Sequence, residues 1–310
     1  MRLVSFRPGR GPSRAGVLVE DVVLDLNAVL AERARGAGGT RRRPLRSILA
    51  LIQAGPAAWD QAREAEAQGR RWLEREGAHG LVARRLAFRR ADVTLEAPLP
   101  RPPRNVFCLG RNYAEHAAER GAAAPEHPVY FTKAPECVIG PGAPIVHHAA
   151  TEQLDYEVEL AVVLGRAGRD VGRAAALEHV FGYTVVNDVT ARDLQKRHQQ
   201  WFKGKSLDTF CPMGPVLVTA DEIPDPQDLA IALRVNDETR QSSHTSKMIF
   251  PVAECIAVLS VGFTLLPGDV IATGTPEGVG AASGRFLRPG DRLEAEVERI
   301  GVLANPVVAP

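Results

Sequence analysis

The chain has 310 residues, 45% hydrophobic and 24% charged, with a formal net charge of +1. That is globular composition, long enough for one large core with a smaller unit beside it, and it excludes a nucleic-acid binder driven by bulk charge. No run of about 18 apolar residues is present, so no membrane span is predicted, and the basic first ten residues lead into no apolar signal segment.

The charge is unevenly placed. Residues 1–104 hold 20 Arg, no Lys and 11 acidic residues, a balance of +9, whereas residues 105–310 hold 18 basic and 26 acidic residues, a balance of −8. Such a split predicts two units with different surfaces. The four cysteines, Cys108, Cys137, Cys211 and Cys255, are widely spaced and form no CxxC pair. They read as reduced, buried thiols of a cytoplasmic protein, with neither a zinc site nor a disulfide framework indicated.

Taken in chain order, residues 3–6, 16–19 and 22–26 are predicted strands, the last two joined by a tight turn at Glu20-Asp21. Residues 31–43, rich in Arg, Ala and Gly, read as an exposed loop. Leu45, Ile48, Leu49 and Ile52 fit one helical face over 44–54, and a second helix spans 59–76 until Gly77 to Gly80 stop it. Pro98-Leu99-Pro100-Arg101-Pro102-Pro103 is a stiff linker and the predicted boundary, with a small accessory unit over 1–97 and a larger one over 98–310. Beyond it, strands are predicted at 105–109, 129–133, 158–164, 181–187, 216–219, 230–235, 270–273 and 292–297, with the clearest helix at 251–261. The pattern is β-rich α+β, without regular βαβ alternation.

Five segments carry the chemistry. In Asp155-Tyr156-Glu157-Val158-Glu159-Leu160, strand periodicity puts Glu157 and Glu159 on one face, either as a carboxylate pair that needs a cation or as a solvated strand edge. In Val185-Val186-Asn187-Asp188-Val189-Thr190, Asp188 ends an apolar strand as a third carboxylate or as a turn residue, and Thr190 is placed to cap a following helix. Three carboxylates without His or Cys select a hard divalent cation, Mg²⁺ or Mn²⁺. In Gly110-Arg111-Asn112-Tyr113-Ala114-Glu115-His116-Ala117-Ala118-Glu119, His116 and Glu119 adjoin on a helical turn. They form a carboxylate-oriented base or an incidental surface pair.

Lys203-Gly204-Lys205-Ser206 resembles the end of a phosphate loop, but position 199 is Gln199 where that loop needs Gly, so a nucleotide site is excluded. Lys205 remains either a stabiliser of enolate or carboxylate charge or a surface Lys. Thr273-Gly274-Thr275-Pro276-Glu277-Gly278 is a Gly-rich loop at a strand end, suited to a carboxylate or to a tight turn.

Together, in this order, the five segments resemble the fumarylacetoacetate hydrolase family over roughly residues 104–308. So do Thr209-Phe210-Cys211-Pro212, the stretch from Asn236 to Gln241, and Met248-Ile249-Phe250. The resemblance implies a mixed β-roll catalytic domain that usually dimerises, with a metal held by Glu157, Glu159 and Asp188. It implies a water-activating dyad, His116 and Glu119, on a segment that often closes as a lid, and a catalytic Lys205. Arg111, Tyr113, Arg192, Gln195, Gly274 and Thr275 fall at substrate-binding positions. A fourth carboxylate found seven residues before the His in the namesake enzyme is here Leu109. That places the chain in the three-carboxylate branch.

The expected function is divalent-metal-dependent hydrolysis of a C–C bond in a small 2,4-dioxo acid, such as an acylpyruvate of aromatic catabolism, through a metal-stabilised enolate. Oxaloacetate-type decarboxylation and 2-hydroxyhepta-2,4-diene-1,7-dioate isomerisation are alternatives at the same centre. A homodimer is expected, with no nucleic-acid or membrane partner. A non-enzymatic carboxylate binder has no need of His116, Glu119 and Lys205. An RNA-binding role for the Arg-rich first 104 residues lacks any recognisable motif.

Overall fold

The computed structural model describes residues 1–36, 44–119, 121 and 123–310. Its main feature is a mixed twelve-stranded sheet. From edge to edge the main path runs Ala87–Arg89, Val22–Asp25, Arg14–Val19, Arg2–Pro8, Cys211–Thr219, Val180–Asn187, Val158–Leu164, Val270–Ala272, Val106–Gly110 and Val129–Lys133. A five-stranded sheet packs nearby, in the order Glu238–His244, Ala230–Val235, Arg292–Val297, Gly301–Val308 and Ile145–Val146. This is the β-rich α+β class expected from the sequence.

The strand Val158–Leu164 is buried on both faces, which explains its continuous apolar run after Glu159. Val180–Asn187 lies antiparallel to it, with Val158 opposite Asn187 and Glu159 opposite Val186. Val270–Ala272 flanks the other side, also antiparallel, and Val106–Gly110 runs parallel to Val270–Ala272. These directions bring five chain ends to one end of the sheet. They are the C-termini of Val106–Gly110, Val180–Asn187 and Val270–Ala272, and the N-termini of Val158–Leu164 and Cys211–Thr219. All five chemically loaded segments sit at or next to those ends.

Residues 1–97 join the rest of the chain through backbone pairing, with Arg2 opposite Val218 and Leu3 opposite Leu217. The edge of the Trp59 ring also meets Phe181, with centroids 5.1 Å apart. Several arginines of this segment pair within it, as in Arg14–Asp25 and Arg84–Glu76, while Arg63 reaches Asp221 across the junction at 3.7 Å.

Several local expectations need correction. Residues 31–36, expected as loop, continue the helix Leu26–Gly36, because Asp25 Oδ1 accepts from the Asn27 and Ala28 N–H groups and Leu26 and Val29 are buried. The rest of that expected loop, 37–43, lies outside the described residues. The helix expected over 44–54 covers only Ile48–Gln53, since Ser47 takes the cap and its hydroxyl accepts from Ala50 N. Gly77 does interrupt the next helix, but helical turns resume beyond it to Ala83. Thr190 caps no helix. It pairs with Asp155 in a short antiparallel bridge and donates to the Asp188 carbonyl at 2.8 Å.

Candidate active site

Antiparallel register dictates the carboxylate cluster. Asp188 follows directly on Asn187, and its N–H donates to the Glu157 carbonyl at 2.8 Å, so these two side chains emerge together. Glu159 lies two residues beyond Glu157, inside the strand Val158–Leu164. Carboxylate oxygens of Glu157, Glu159 and Asp188 come within 4.8 Å of one another, and all three residues are buried. The solvated strand edge that the sequence left open is therefore not what forms.

Cations from other segments surround two of the three. Lys205 Nζ bridges Glu157 Oε2 at 2.7 Å and Asp188 Oδ2 at 2.6 Å. Lys133 Nζ, fully buried, meets Asp188 Oδ1 at 2.5 Å and the Val189 carbonyl at 3.1 Å. Arg192 holds Glu157 Oε1 through Nη2 at 2.5 Å and Asp155 Oδ2 through Nε at 2.7 Å. Glu159 accepts from Gly274 N at 2.7 Å. Gly274 has φ 95°, and a Cβ there would sit 2.7 Å from Asn112 Cβ, so only glycine brings this N–H to Glu159 without strain.

The local charge sum follows. Four buried carboxylates, Asp155, Glu157, Glu159 and Asp188, face three buried cations, Lys133, Arg192 and Lys205. With all four ionised one negative charge would be left over, and Glu159 is the carboxylate that no cation pairs among the described residues. Burial, then Asp188 and Glu157, push the Glu159 carboxyl well above the usual range. Burial also acts to raise Glu157, but Arg192, Lys205 and His116 outweigh it and hold that carboxyl below its ordinary value. The all-oxygen donor set and the surplus negative charge fit a hard divalent cation. Glu157, Glu159 and Asp188 are the residues that could hold it.

His116 and Glu119 share the helix Ala114–Glu119, with Nδ1 2.8 Å from Glu119 Oε1. Glu119 Oε2 accepts from Gly278 N at 2.9 Å, tying the helix to the Gly-rich loop. A cavity of about 540 Å³ joins the parts. Of the expected residues it is lined by Arg111, His116, Glu157, Arg192, Gln195, Lys205 and Thr275. Glu119 stands behind His116, and Glu159, Asp188 and Gly274 are not among the cavity's lining residues. Tyr113 is fully buried, does not line the cavity, and its hydroxyl has no protein hydrogen-bond partner. Gly204 is required by close approach, since a Cβ there would lie 2.5 Å from Gln195 N. That explains a glycine between two lysines without any phosphate.

Sequence reasoning missed Lys133, Asp155 and Gln241 as site residues. Asp155 gathers Arg192 and the N–H groups of Tyr156, Gly280 and Ala281. Period-two spacing from Glu157 pointed to it. Gln241 accepts from Val158 N and donates to Thr275 Oγ1 and the Pro276 carbonyl, thereby seating both the metal-site strand and the loop. No local pattern marks Lys133, whose role depends on a contact 55 residues away.

The family model for the C-terminal domain of fumarylacetoacetate (FAA) hydrolase matches residues 105–308. The chain belongs to the fumarylacetoacetate hydrolase family. With Leu109 in place of a fourth carboxylate, it falls in the three-carboxylate branch. Among curated relatives, oxaloacetate tautomerase YisK of Bacillus subtilis is 53% identical over 222 residues, 70% of this chain and 74% of that protein. Among solved structures, a fumarylacetoacetate hydrolase from Exiguobacterium antarcticum is 41% identical with a TM-score of 0.80, covering 100% of both chains. A 2-hydroxyhepta-2,4-diene-1,7-dioate isomerase from Mycobacterium marinum is 31% identical with a TM-score of 0.71, over 100% of this chain and 98% of that one. The structural likeness therefore includes residues 1–97. Among the described residues no helix is long and apolar enough to cross a membrane.

Proposed function

We propose that this protein is a Mg²⁺- or Mn²⁺-dependent enzyme that moves the C3 proton of a small 2-oxo acid of the oxaloacetate type, interconverting its keto and enol forms. The observation that carries the reading is the buried triad of Glu157, Glu159 and Asp188 in the same site as the His116–Glu119 dyad and Lys205. The tautomerase and isomerase relatives support proton transfer over the hydrolysis expected first.

Glu157, Glu159 and Asp188 would hold a divalent cation, which when bound would supply Lewis-acid polarisation of a 2-oxo acid and so acidify its C3 proton. With all four carboxylates ionised the residues sum to −1, so the site would accept a dication together with one substrate carboxylate at overall neutrality. His116, with Nδ1 fixed by Glu119, presents Nε2 as the base that takes and returns the C3 proton. Lys205 Nζ offers hydrogen-bond donation toward negative charge growing on the substrate oxygens. Gln195 and Thr275, which both line the cavity, orient the acid. Arg192 is held mainly by Asp155 and Glu157, so its contribution is to shape the triad.

Hydrolysis of an acylpyruvate is the second reading, favoured by the same dyad, since a His oriented by Glu can equally activate a water. Residues 1–97 serve in this proposal as an accessory unit, and the protein acts as a cytoplasmic homodimer. Light scattering tests the dimer.

The deciding experiment follows C3 hydrogen exchange of oxaloacetate by NMR, beside acetylpyruvate cleavage, with Mg²⁺, with Mn²⁺ and after chelation. Exchange that needs metal and falls at least about 100-fold in His116→Ala is expected. Acetylpyruvate cleavage without catalysed exchange would favour hydrolysis, and full exchange in His116→Ala would remove the dyad from the mechanism.

A further inference from the structure

Two features of the cavity exceed what oxaloacetate needs. The first is size, since about 540 Å³ is the volume of a pocket for a drug-sized ligand. The second is an aromatic wall. Phe131 and Trp201 both line the cavity, and Leu109 and Phe286 add further apolar lining.

Distances fix the position of this wall relative to the triad. Lys205 Nζ, which bridges Glu157 and Asp188, lies 5.0 Å from the centroid of the Phe131 ring. The Phe131 and Trp201 rings meet with centroids 5.2 Å apart and 67° between their planes. The aromatic surface thus begins beside Lys205 and continues onto Trp201. Trp201 is itself held on two more sides. A Cβ on Gly110 would collide with its Cζ3, so glycine is what lets the indole pack against the end of Val106–Gly110. The Arg111 guanidinium carbon lies 5.9 Å from the Trp201 ring centroid. Both aromatic residues are half-buried. Rings fixed in this way receive a flat apolar group at little ordering cost.

The charge count points the same way. The buried groups accept a dication and one substrate carboxylate at overall neutrality. A 2-oxo monocarboxylate satisfies that end of the cavity, and an uncharged substituent can then lie along the rings.

We infer that Phe131 and Trp201 receive a flat apolar group on C3, and that the protein has a further activity, the keto–enol interconversion of arylpyruvates. This goes beyond an oxaloacetate-type substrate and rests on the proposed function for its proton transfer. An aryl ring on C3 conjugates with the enol, so both tautomers of such an acid are accessible. In the ketonising direction the enol O–H bond breaks and the C2=C3 electron pair takes a proton from the His116 imidazolium, forming the C3–H bond. The proton released from the enol hydroxyl restores the imidazolium through solvent, and no oxidant or co-reactant is needed.

Binding and turnover are measured on the Mg²⁺-loaded full chain. Calorimetric titration compares 3,3-difluoro-3-phenylpyruvate with 3,3-difluoro-2-oxobutanoate, neither of which can enolise. Deuterium exchange at C3 of phenylpyruvate and of oxaloacetate is followed by NMR. The wild type is expected to bind the phenyl ligand at least about 10-fold more tightly than the methyl one, and to catalyse exchange of phenylpyruvate. Trp201→Leu is expected to cut both that preference and the phenylpyruvate-to-oxaloacetate rate ratio by at least about 5-fold, with Trp201→Phe keeping part of each. Phe131→Leu reads the same two ratios if Trp201→Leu fails to fold. The inference is overturned if the wild type shows no phenyl preference, if the preference survives in both Leu variants, or if oxaloacetate is exchanged and phenylpyruvate is not. Exchange of phenylpyruvate without exchange of oxaloacetate sustains the inference and refutes the oxaloacetate-type substrate. Exchange of neither refutes the proposed reaction and overturns the further activity with it.

Discussion

Arg192 Nε lies 2.7 Å from Asp155 Oδ2, and the same guanidinium reaches Glu157 through Nη2 at 2.5 Å. Asp155 thus holds the cation that holds a metal ligand, and it also anchors Gly280 N and Ala281 N. Removing one partner of a buried ion pair leaves the other charge uncompensated in a low-dielectric interior. Asp155→Asn is expected to lower the unfolding free energy by about 3–5 kcal/mol in urea titration and to weaken Mg²⁺ binding. A loss below about 1 kcal/mol would show that Arg192 finds another partner.

Gly274 offers a second handle on the same cluster. Its φ of 95° is left-handed, and a Cβ added there would stand 2.7 Å from Asn112 Cβ, so a side chain has no room. Gly274→Ala is expected to cost about 1–3 kcal/mol and to shift the N–H that meets Glu159, lowering Mg²⁺ affinity more than thermal stability would suggest. Thermal melts with and without Mg²⁺ separate the two effects, and an unchanged metal response would break the link between this glycine and Glu159.

Tyr113 separates resemblance from geometry. The family pattern implies a substrate contact, but the ring is buried away from the cavity and its hydroxyl finds no protein partner. Burial, with Glu159 and Glu277 nearby, pushes this phenol far above its ordinary value, so it stays protonated. Tyr113→Phe removes an oxygen with little to lose, and a stability change within about 1 kcal/mol is expected with KM unchanged. A several-fold rise in KM would restore Tyr113 to the substrate site.

The parts of the site that are legible in the sequence are those governed by short-range periodicity. Glu157 and Glu159 follow strand alternation, His116 and Glu119 follow the helical turn, and Asp188 follows an apolar strand to its end. What stays hidden depends on pairing between distant segments. Lys133 meets Asp188 through sheet topology, and nothing around position 133 encodes that partner. Thr190 shows the opposite error, in which a good local cap residue is drawn into a bridge with Asp155 because that pairing places the triad. The helix Leu26–Gly36 is masked for a related reason. The stretch 31–43 is rich in Arg, Ala and Gly, but Leu26 and Val29 just before it supply the buried face of a helix that runs on to Gly36.

Asp193 connects helix entry to the cavity wall and gives a pH test remote from the triad. Its carboxylate accepts from Thr151 Oγ1 at 2.6 Å, Glu152 N at 3.0 Å and Leu194 N at 2.8 Å. Partial burial acts to raise its pKa, but these hydrogen bonds outweigh burial and hold the carboxyl below its ordinary 3.8. A carboxyl depressed in the folded state contributes stability that is fully present above the unfolded value and is lost as pH falls through the folded one. Asp193→Asn is therefore expected to cost about 1–2 kcal/mol at pH 7. The gap between variant and wild type should stay constant down to about pH 5 and shrink below the unfolded value near 3.8. Denaturant titrations at stepped pH measure it. A gap that instead narrows between pH 5 and 8 would place the responsible titration on another group, because Asp193 is ionised in both folded and unfolded chains across that range.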